Sequence, residues 1–211
     1  MSWRSLRKMR GKFYAKTGKR IFDLLVGLTG FVLVSPLLIF VALWIAISDP
    51  GPIFFRHERI GQNFKKFRLI KFRTMIKNAG QAGLQITAAD DKRISKVGGY
   101  LRRFKLDELP QLINVIKGEM SLVGPRPEVE AYVRVFNDDY KQILKIRPGI
   151  TDFAAIEFRD EQEMLKGSED THASYVTNIL PKKIVLYKKY LNDMSFSTDL
   201  RILTETLRSI F

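Results

Sequence analysis

Residues 21 to 47, IFDLLVGLTGFVLVSPLLIFVALWIAI, form a run whose only charge is Asp23, and no other stretch limits the possible folds so strongly. About 18 consecutive apolar residues suffice to reach across the hydrocarbon core of a bilayer. A signal peptide would have a shorter apolar region and a small-residue cleavage site, and neither fits. A helix in a soluble core is rarely apolar on every face for so long. The run is therefore expected in a membrane.

Whether it crosses is a separate question. Arg4, Arg7, Lys8, Arg10, Lys12, Lys16, Lys19 and Arg20 precede it with no acid among them, interleaved with Trp3, Phe13 and Tyr14. Arg56, Arg59, Lys65, Lys66, Arg68, Lys71 and Arg73 follow it. Positive flanks are retained on the cytoplasmic side, and a straight span would send one of them across. Ser35-Pro36 stands near the midpoint. Proline has no N–H for the carbonyl of Val32, so a bend is expected there. Ser35 can offer its hydroxyl to a carbonyl one turn back, which softens the cost of unpaired backbone in lipid. Two readings follow: a re-entrant helix that breaks at Ser35 and Pro36 and leaves on the side it entered, or an ordinary kinked span.

Charge separates the chain into two parts. Residues 1 to 80 carry 16 Lys+Arg against Asp23, Asp49 and Glu58, whereas the remaining 131 residues carry 20 against 19. A basic excess confined to one end points to a polyanionic surface, either anionic lipid or nucleic acid. The chain has no cysteine, which excludes disulfides, zinc ribbons and thiol catalysis. With only His57 and His172, any metal would be a hard cation on carboxylate and phosphate oxygens. No G-x-x-x-x-G-K-[ST], G-x-G-x-x-G or G-x-S-x-G motif is present.

After the apolar run, Asp49-Pro50-Gly51-Pro52 reads as a stiff turn. Ile53-Phe54-Phe55 and the alternating Phe64 to Arg73 read as short strands joined at Gly61-Gln62-Asn63. Basic residues alternating with aromatics there could track a nucleic-acid strand, lie on head groups or face an anionic substrate. Residues 77 to 93 read as a mobile polar loop, and a helix is expected over 94 to 104. A second helix is expected after Pro127, and Arg147-Pro148-Gly149-Ile150-Thr151 reads as a rigid turn presenting an arginine. Residues 157 to 170 are acidic and read as a solvated helix and loop. In 182 to 191, lysines flank an apolar and aromatic stripe, which fits either a membrane-surface helix or core packing. The final helix, through Leu200, Ile202, Leu203 and Leu207, leaves the same choice.

The stretch with most chemical content is Lys105 to Pro127, KLDELPQLINVIKGEMSLVGPRP. Adjacent carboxylates Asp107 and Glu108 are expected at the start of a helix that stops at Gly118, followed by a proline-rigid loop presenting Arg126. Acids at helix starts are routine caps. A carboxylate can also attack phosphorus and split a displacement into two steps. Two carboxylates facing a diphosphate would need Mg²⁺ and nearby cations, for which Arg126, Arg147, Lys71 and Arg73 are candidates, each also readable as surface charge.

Several motifs in order resemble the bacterial sugar transferases, or monotopic phosphoglycosyl transferases. They are Lys19-Arg20-Ile21-Phe22-Asp23, Ser35-Pro36, Gly51-Pro52-Ile53-Phe54-Phe55, Lys71-Phe72-Arg73-Thr74-Met75, Leu106-Asp107-Glu108-Leu109-Pro110-Gln111, Ser121 to Pro127 and Arg147 to Thr151. The resemblance covers Lys19 to about Leu207. It implies an enzyme on the cytoplasmic face of the bacterial inner membrane that moves sugar-1-phosphate from a nucleotide sugar, usually a UDP-sugar, to polyprenyl phosphate. Products would be a polyprenyl-diphosphate sugar and UMP, opening glycan biosynthesis, with other glycan-assembly enzymes as potential partners. By carry-over Asp107 matches the nucleophile, and Glu108 its partner in Mg²⁺ binding and the second half-reaction. Arg126 falls in the phosphate-binding loop; Lys71 and Arg147 are weaker carry-overs. The implied architecture is α+β and mainly helical. Residues 1–50 would form a basic N-terminus and a re-entrant membrane helix. Residues 51–211 would form a compact cytoplasmic catalytic domain with a short β-hairpin and amphipathic interfacial helices.

Two departures stand out. Many members continue the Pro-Gly-Ile-Thr turn with Gly-Trp-Ala-Gln, where this chain has Asp152-Phe153-Ala154-Ala155. Many also have an aspartate three residues before a tyrosine in the penultimate helix, where this chain has Tyr187 before Tyr190. Without the extra N-terminal membrane helices of larger members in this sequence, the resemblance leads one to expect the minimal catalytic form. Two other classes of function fit parts of the sequence. A membrane-tethered nucleic-acid-binding protein would use the basic first 80 residues but leave Asp107-Glu108 idle, and a silent scaffold for glycan assembly would need neither. Nucleic acid is not expected as a partner. UMP release separates these readings from a transferase, and salt-sensitive nucleic-acid binding without it would favour the first.

Overall fold

The computed structural model of the chain describes residues 14–77, 91–168 and 170–210. The basic positions from Arg4 to Lys12 and most of the polar loop over 77 to 93 lie outside the described residues. A π-helical turn, Tyr14–Gly18, leads into α1, Lys19–Ser48, one continuous helix of 30 residues. Only 11% of its most apolar window is buried inside the protein, which separates it from a soluble core helix. The helix runs without interruption through Ser35-Pro36. Proline leaves the carbonyl of Val32 without its usual donor, and Ser35 Oγ donates to that carbonyl at 2.8 Å. The helix therefore does not break at Ser35-Pro36, and the Ser35 hydroxyl supplies the bond that proline leaves out.

Both ends of α1 dock on the rest of the chain. Lys19, Asp23 and Gly27, spaced by one turn each, are buried near the start, and Val41 and Ile45 near the end. Residues between them are bare, with Val32 61% and Leu33 74% exposed. At the first site Asp23 accepts from Ser121 Oγ and the Leu122 amide, both at 3.0 Å. Lys19 Nζ, Tyr14 Oη and Tyr190 Oη each donate to the fully buried Asp199 at 2.6 Å. At the second, Val41 and Ile45 pack on Phe72 and Leu101.

The turn at Asp49–Pro52 delivers the chain to a hairpin of β1, Phe54–Ile60, and β2, Lys66–Phe72, paired antiparallel from Phe54↔Phe72 to Ile60↔Lys66. A tight turn at Gln62–Phe64 joins them, as expected. Helix α2, Lys96–Arg103, is capped by Ser95 Oγ, which accepts from the Gly98 amide at 2.9 Å. Asp107 and Glu108 are not in the following α-helix but in a 3-10 turn, Leu106–Glu108, ahead of it. Pro110 explains the shift. It has no N–H to donate back to Leu106, so the turn closes by the tighter pattern, Glu108 N–H to Lys105 O and Leu109 N–H to Leu106 O. Helix α3, Gln111–Lys117, then starts and ends at Gly118, whose φ of 83° is left-handed, as the sequence required. Asn114 of α3, fully buried, seals the outer edge of β2 by accepting from Ile70 N–H and donating to Arg68 O.

Strand β3, Ser121–Val123, pairs in parallel with β4, Gly149–Thr151. The second half of the expected rigid turn at Arg147–Thr151 is therefore a strand. Glycine makes this possible: a Cβ on Gly149 would lie 2.1 Å from Gly124 N. Between the strands run α4, Glu130–Val135, and α5, Asn137–Ile143; after β4 come α6, Phe153–Glu157, α7, Glu161–Met164, and α8, Thr171–Ser174. A π-turn, Tyr175–Ile179, leads to α9, Leu180–Asp193, and α10, Phe196–Ile210, closes the chain.

On α9 the stripe of Ile184, Tyr187 and Tyr190 faces inward and joins the two larger core clusters. Of the two readings left open for that helix, core packing holds, because the hydrocarbon is already covered by protein. On α10, by contrast, Ile202 is buried while Phe196, Leu200 and Leu207 are about half exposed.

Gly98 supports the site from below, since a Cβ there would lie 1.9 Å from Thr74 O, whereas its neighbour Gly99 faces open space. Gly98→Ala should therefore destabilise the fold by about 1–3 kcal/mol or more through overpacking. Gly99→Ala should stabilise it by roughly 0.5–1 kcal/mol through lower helix-forming cost. Thermal unfolding of the two variants in lipid discs should move in opposite directions.

Candidate active site

Three elements converge at the 3-10 turn. Lys71 comes from the end of β2, Arg126 from the loop after β3, and Glu108 from the turn itself. Lys71 Nζ and Arg126 Nη2 both donate to Glu108 Oε1 at 2.6 Å, and Arg126 Nη1 reaches Oε2 at 3.2 Å. The Arg126 loop is fixed by the strand pair, with Gly124 N–H to Thr151 O and Gly149 N–H to Pro125 O, each 2.9 Å.

Asp107, one residue away, is in a different state. It is 7% exposed, and its carboxylate makes no hydrogen bond among the described residues. Burial raises its pKa, and the neighbouring Glu108 charge adds to that, while Lys71, Arg102 and Lys105 oppose. Burial acts on Glu108 too, but the charges of Arg126 and Lys71 and their hydrogen bonds outweigh it and hold that carboxyl well below the usual range. The two carboxylates are thus divided: Glu108 anchors two cations, and Asp107 keeps oxygens without a hydrogen bond among the described residues. Lys105, just ahead, has a φ of 55°, a left-handed conformation that costs a non-glycine residue of order 1–3 kcal/mol and tends to occur at functional sites.

The other two expected cations are committed elsewhere. Arg73 Nη2 donates to Asp49 O and pairs with the Asp49 carboxylate at 3.4 Å, holding the end of α1 to the hairpin. Arg147 Nε donates to Gly118 O at 2.8 Å, beside Arg20, which serves the carbonyls of Val115 and Ile116. Together they cap the C-terminus of α3, the end opposite the carboxylates, where a helix favours cations.

Arg102 is a residue the sequence did not reveal. Its Nε donates to Thr74 Oγ1 at 2.9 Å, and its Nη1 is buried with no partner among the described residues. The Asp107 charge acts on it more strongly than any other. In the sequence it is one of a basic pair, Arg102-Arg103, and nothing there separates it from surface charge. The Lys71-Phe72-Arg73-Thr74-Met75 motif becomes legible at the same time. Lys71 holds Glu108, Phe72 carries α1, Arg73 holds Asp49, Thr74 seats Arg102 and Gly98, and Met75 bridges to Ile94.

No group of three or more acidic or histidine side chains could hold a metal among the described residues. Magnesium takes few protein carboxylates and completes its shell with phosphate and water. The free oxygens of Asp107 fit such an ion, whereas both Glu108 oxygens are already occupied.

The pattern for the family described as bacterial sugar transferase matches residues 14–211. The chain is 36% identical over 186 residues to the exopolysaccharide production protein ExoY of Sinorhizobium fredii, covering 81% of this chain and 82% of that one. It is 40% identical over 143 residues to the UDP-N-acetylgalactosamine-undecaprenyl-phosphate N-acetylgalactosaminephosphotransferase of Aeromonas hydrophila, covering 65% and 33%. It is 34% identical over 197 residues to the UDP-glucose:undecaprenyl-phosphate glucose-1-phosphate transferase of Escherichia coli, covering 90% and 39%. The chain therefore spans well under half the length of the last two relatives. A match that runs through nearly every element, from the turn before α1 to the end of α10, places this chain in the bacterial sugar transferase family.

Proposed function

We propose that this chain transfers sugar-1-phosphate from a UDP-sugar to polyprenyl phosphate, releasing UMP, at the cytoplasmic face of a bacterial inner membrane. The observation that carries the reading is the division of the two carboxylates, with Lys71 and Arg126 clamped on Glu108 beside an unencumbered Asp107. Family membership and the printed activities of the Aeromonas and Escherichia relatives supply the substrate classes.

In this mechanism an Asp107 oxygen attacks the phosphorus that carries the sugar. The bond from that phosphorus to the UMP oxygen breaks, leaving an aspartyl phospho-sugar. A phosphate oxygen of polyprenyl phosphate then attacks the same phosphorus and displaces Asp107, giving the polyprenyl-diphosphate sugar. Arg126 and Lys71, fixed by Glu108, and Arg102, with its unused N–H, face the charge that develops on the phosphate oxygens. Mg²⁺ held by Asp107, with Glu108 behind it, would neutralise the donor diphosphate. Glu108 acts chiefly as the anchor that keeps two cations in place while no substrate is bound.

The acceptor is confined to the bilayer, so the site has to lie at head-group depth. A re-entrant α1 is supported by its docking. Gly27 meets Val115, and fourteen residues later, about 21 Å along a straight helix, Val41 packs on Phe72, in the same body. A straight span would carry its far end away from that body. The half-exposed stripe of Phe196, Leu200 and Leu207 on α10 fits an interfacial helix, because Phe196 packs edge-on against Phe22 of α1, 5.4 Å between rings.

Three measurements test this reading. Asp107→Asn should reduce UMP release by at least about 10³-fold, as loss of a nucleophile does, and abolish any trapped phospho-sugar adduct; retained turnover would refute the assignment. Arg126→Ala should raise the donor KM with membrane association intact, whereas Arg147→Ala should lower the unfolding temperature and leave donor KM unchanged. Single cysteines introduced at Thr17 and Lys65, in a chain with none of its own, should react from the same face of sealed membranes. Labelling from opposite faces would establish a span.

A further inference from the structure

The two positions at which the sequence leaves the common family pattern, Asp152 and Tyr187, are both buried, each with a polar atom that has no partner among the described residues. Asp152 follows β4 and caps α6, its Oδ1 accepting from the Ala155 amide at 2.6 Å. It is 1% exposed, and its Oδ2 has no partner among the described residues. Tyr187 of α9 is fully buried with an unpaired hydroxyl, and so in effect is Tyr140 of α5, 1% exposed. The Asp152 charge acts on both hydroxyls, and on Tyr187 more than any other charge does. One acceptor and two donors, each buried and each unpaired, are complementary. Buried polar groups left unpaired are costly, so complementary donors and an acceptor in one neighbourhood favour one another.

This cluster backs onto the Arg126 loop. Thr151, next to Asp152, receives the Gly124 amide, and Pro125 receives the Gly149 amide. Lys183 and Tyr187 of α9, Tyr140 of α5, and Arg126 with its own amide all act on Asp152. Lys183 is itself paired with Glu161 of α7. Arg126 is therefore held by Glu108 through its guanidinium, and its loop is held to the strand that leads into the buried Asp152.

We propose that Asp152, together with Tyr187, is a positioning residue that sets Arg126 for the donor diphosphate. The inference rests on the transferase reading above. Its test is the donor KM and kcat for UMP release by the full chain in lipid discs, with the unfolding temperature measured alongside. Asparagine caps a helix about as well as aspartate, so Asp152→Asn keeps α6 and removes the charge. Donor KM should rise about tenfold, the equivalent of one charge-assisted hydrogen bond, with kcat and unfolding temperature close to wild type. Tyr187→Phe should raise KM in the same direction, and the two changes together should do little more than either alone. In an Arg126→Ala background Asp152→Asn should have no effect on KM.

If Asp152→Asn keeps the wild-type KM, or its effect persists in full without Arg126, Asp152 only caps α6 and the inference is overturned. Should Asp152→Asn fail to fold, Tyr187→Phe, which preserves the ring, carries the test: a wild-type KM there also overturns it. A wild-type chain that releases no UMP from any nucleotide sugar overturns the transferase reading itself. That outcome is distinct from an active enzyme indifferent to position 152.

Discussion

Glu108 draws Lys71 from a hairpin, Arg126 from a strand-linked loop, and itself from a 3-10 turn to a single point, with both cations 2.6 Å from one oxygen. Taking three charges largely out of water is costly, of order several kcal/mol per ion, and breaking such a cluster costs about 3–5 kcal/mol because an unpaired charge stays behind. The surrounding architecture can be read as what makes that arrangement tolerable. Asn114 ties α3 to β2 next to Lys71, Pro110 holds the turn short of the helix, and paired glycines let β3 and β4 approach until the Arg126 loop has no freedom left. Asp107 benefits from this without taking part. Its neighbour absorbs the cations, so it keeps lone pairs that a more evenly shared cluster would have consumed.

The same logic extends to the membrane. Helix α1 is apolar enough to insert, yet it keeps Lys19 and Asp23 on the face that meets protein, each buried and each paired with a partner distant in sequence. A helix that only had to cross lipid would have no use for them. These polar contacts fix where the helix enters the body, and Arg73 on Asp49 fixes where it returns. Phe72, packed on α1, is the immediate neighbour of Lys71, so the membrane contact and the Glu108 cluster are joined through adjacent residues of one strand. A site tied in this way to the apolar helix suits the membrane-confined acceptor of the proposed function.

Much of this was legible in the chain itself. The apolar run, the hairpin, the stop at Gly118 and the role of Ser35 beside Pro36 follow from local rules of length, alternation, glycine and missing N–H groups. Lys71, Glu108 and Arg126 were singled out and do meet, with Asp107 next to Glu108 in the same turn. Arg73 and Arg147 were singled out by the same signal, a cation in a motif, and serve instead as ties for Asp49 and for the end of α3. The stripe on α9 shows the same limit. Lysines around aromatics look alike whether the aromatics meet lipid or protein, and here Tyr187 and Tyr190 meet protein.

Sequence alone determined that this protein carries a helix apolar and long enough for a membrane, gathers its positive charge toward one end, and has no thiol and only two imidazoles beside its carboxylates. Those conclusions depend on composition and on spacings of a few residues, which the chain states directly. Tertiary structure alone decided which of two adjacent carboxylates is without a hydrogen bond, which of the cations clamp the other, and that Arg102 sits on Thr74 with a buried unpaired N–H. Each of those depends on contacts between residues far apart along the chain, such as Lys71 with Glu108 and Gly124 with Gly149. Hydrogen bonds and burial over such separations are set by packing, and no local pattern encodes them.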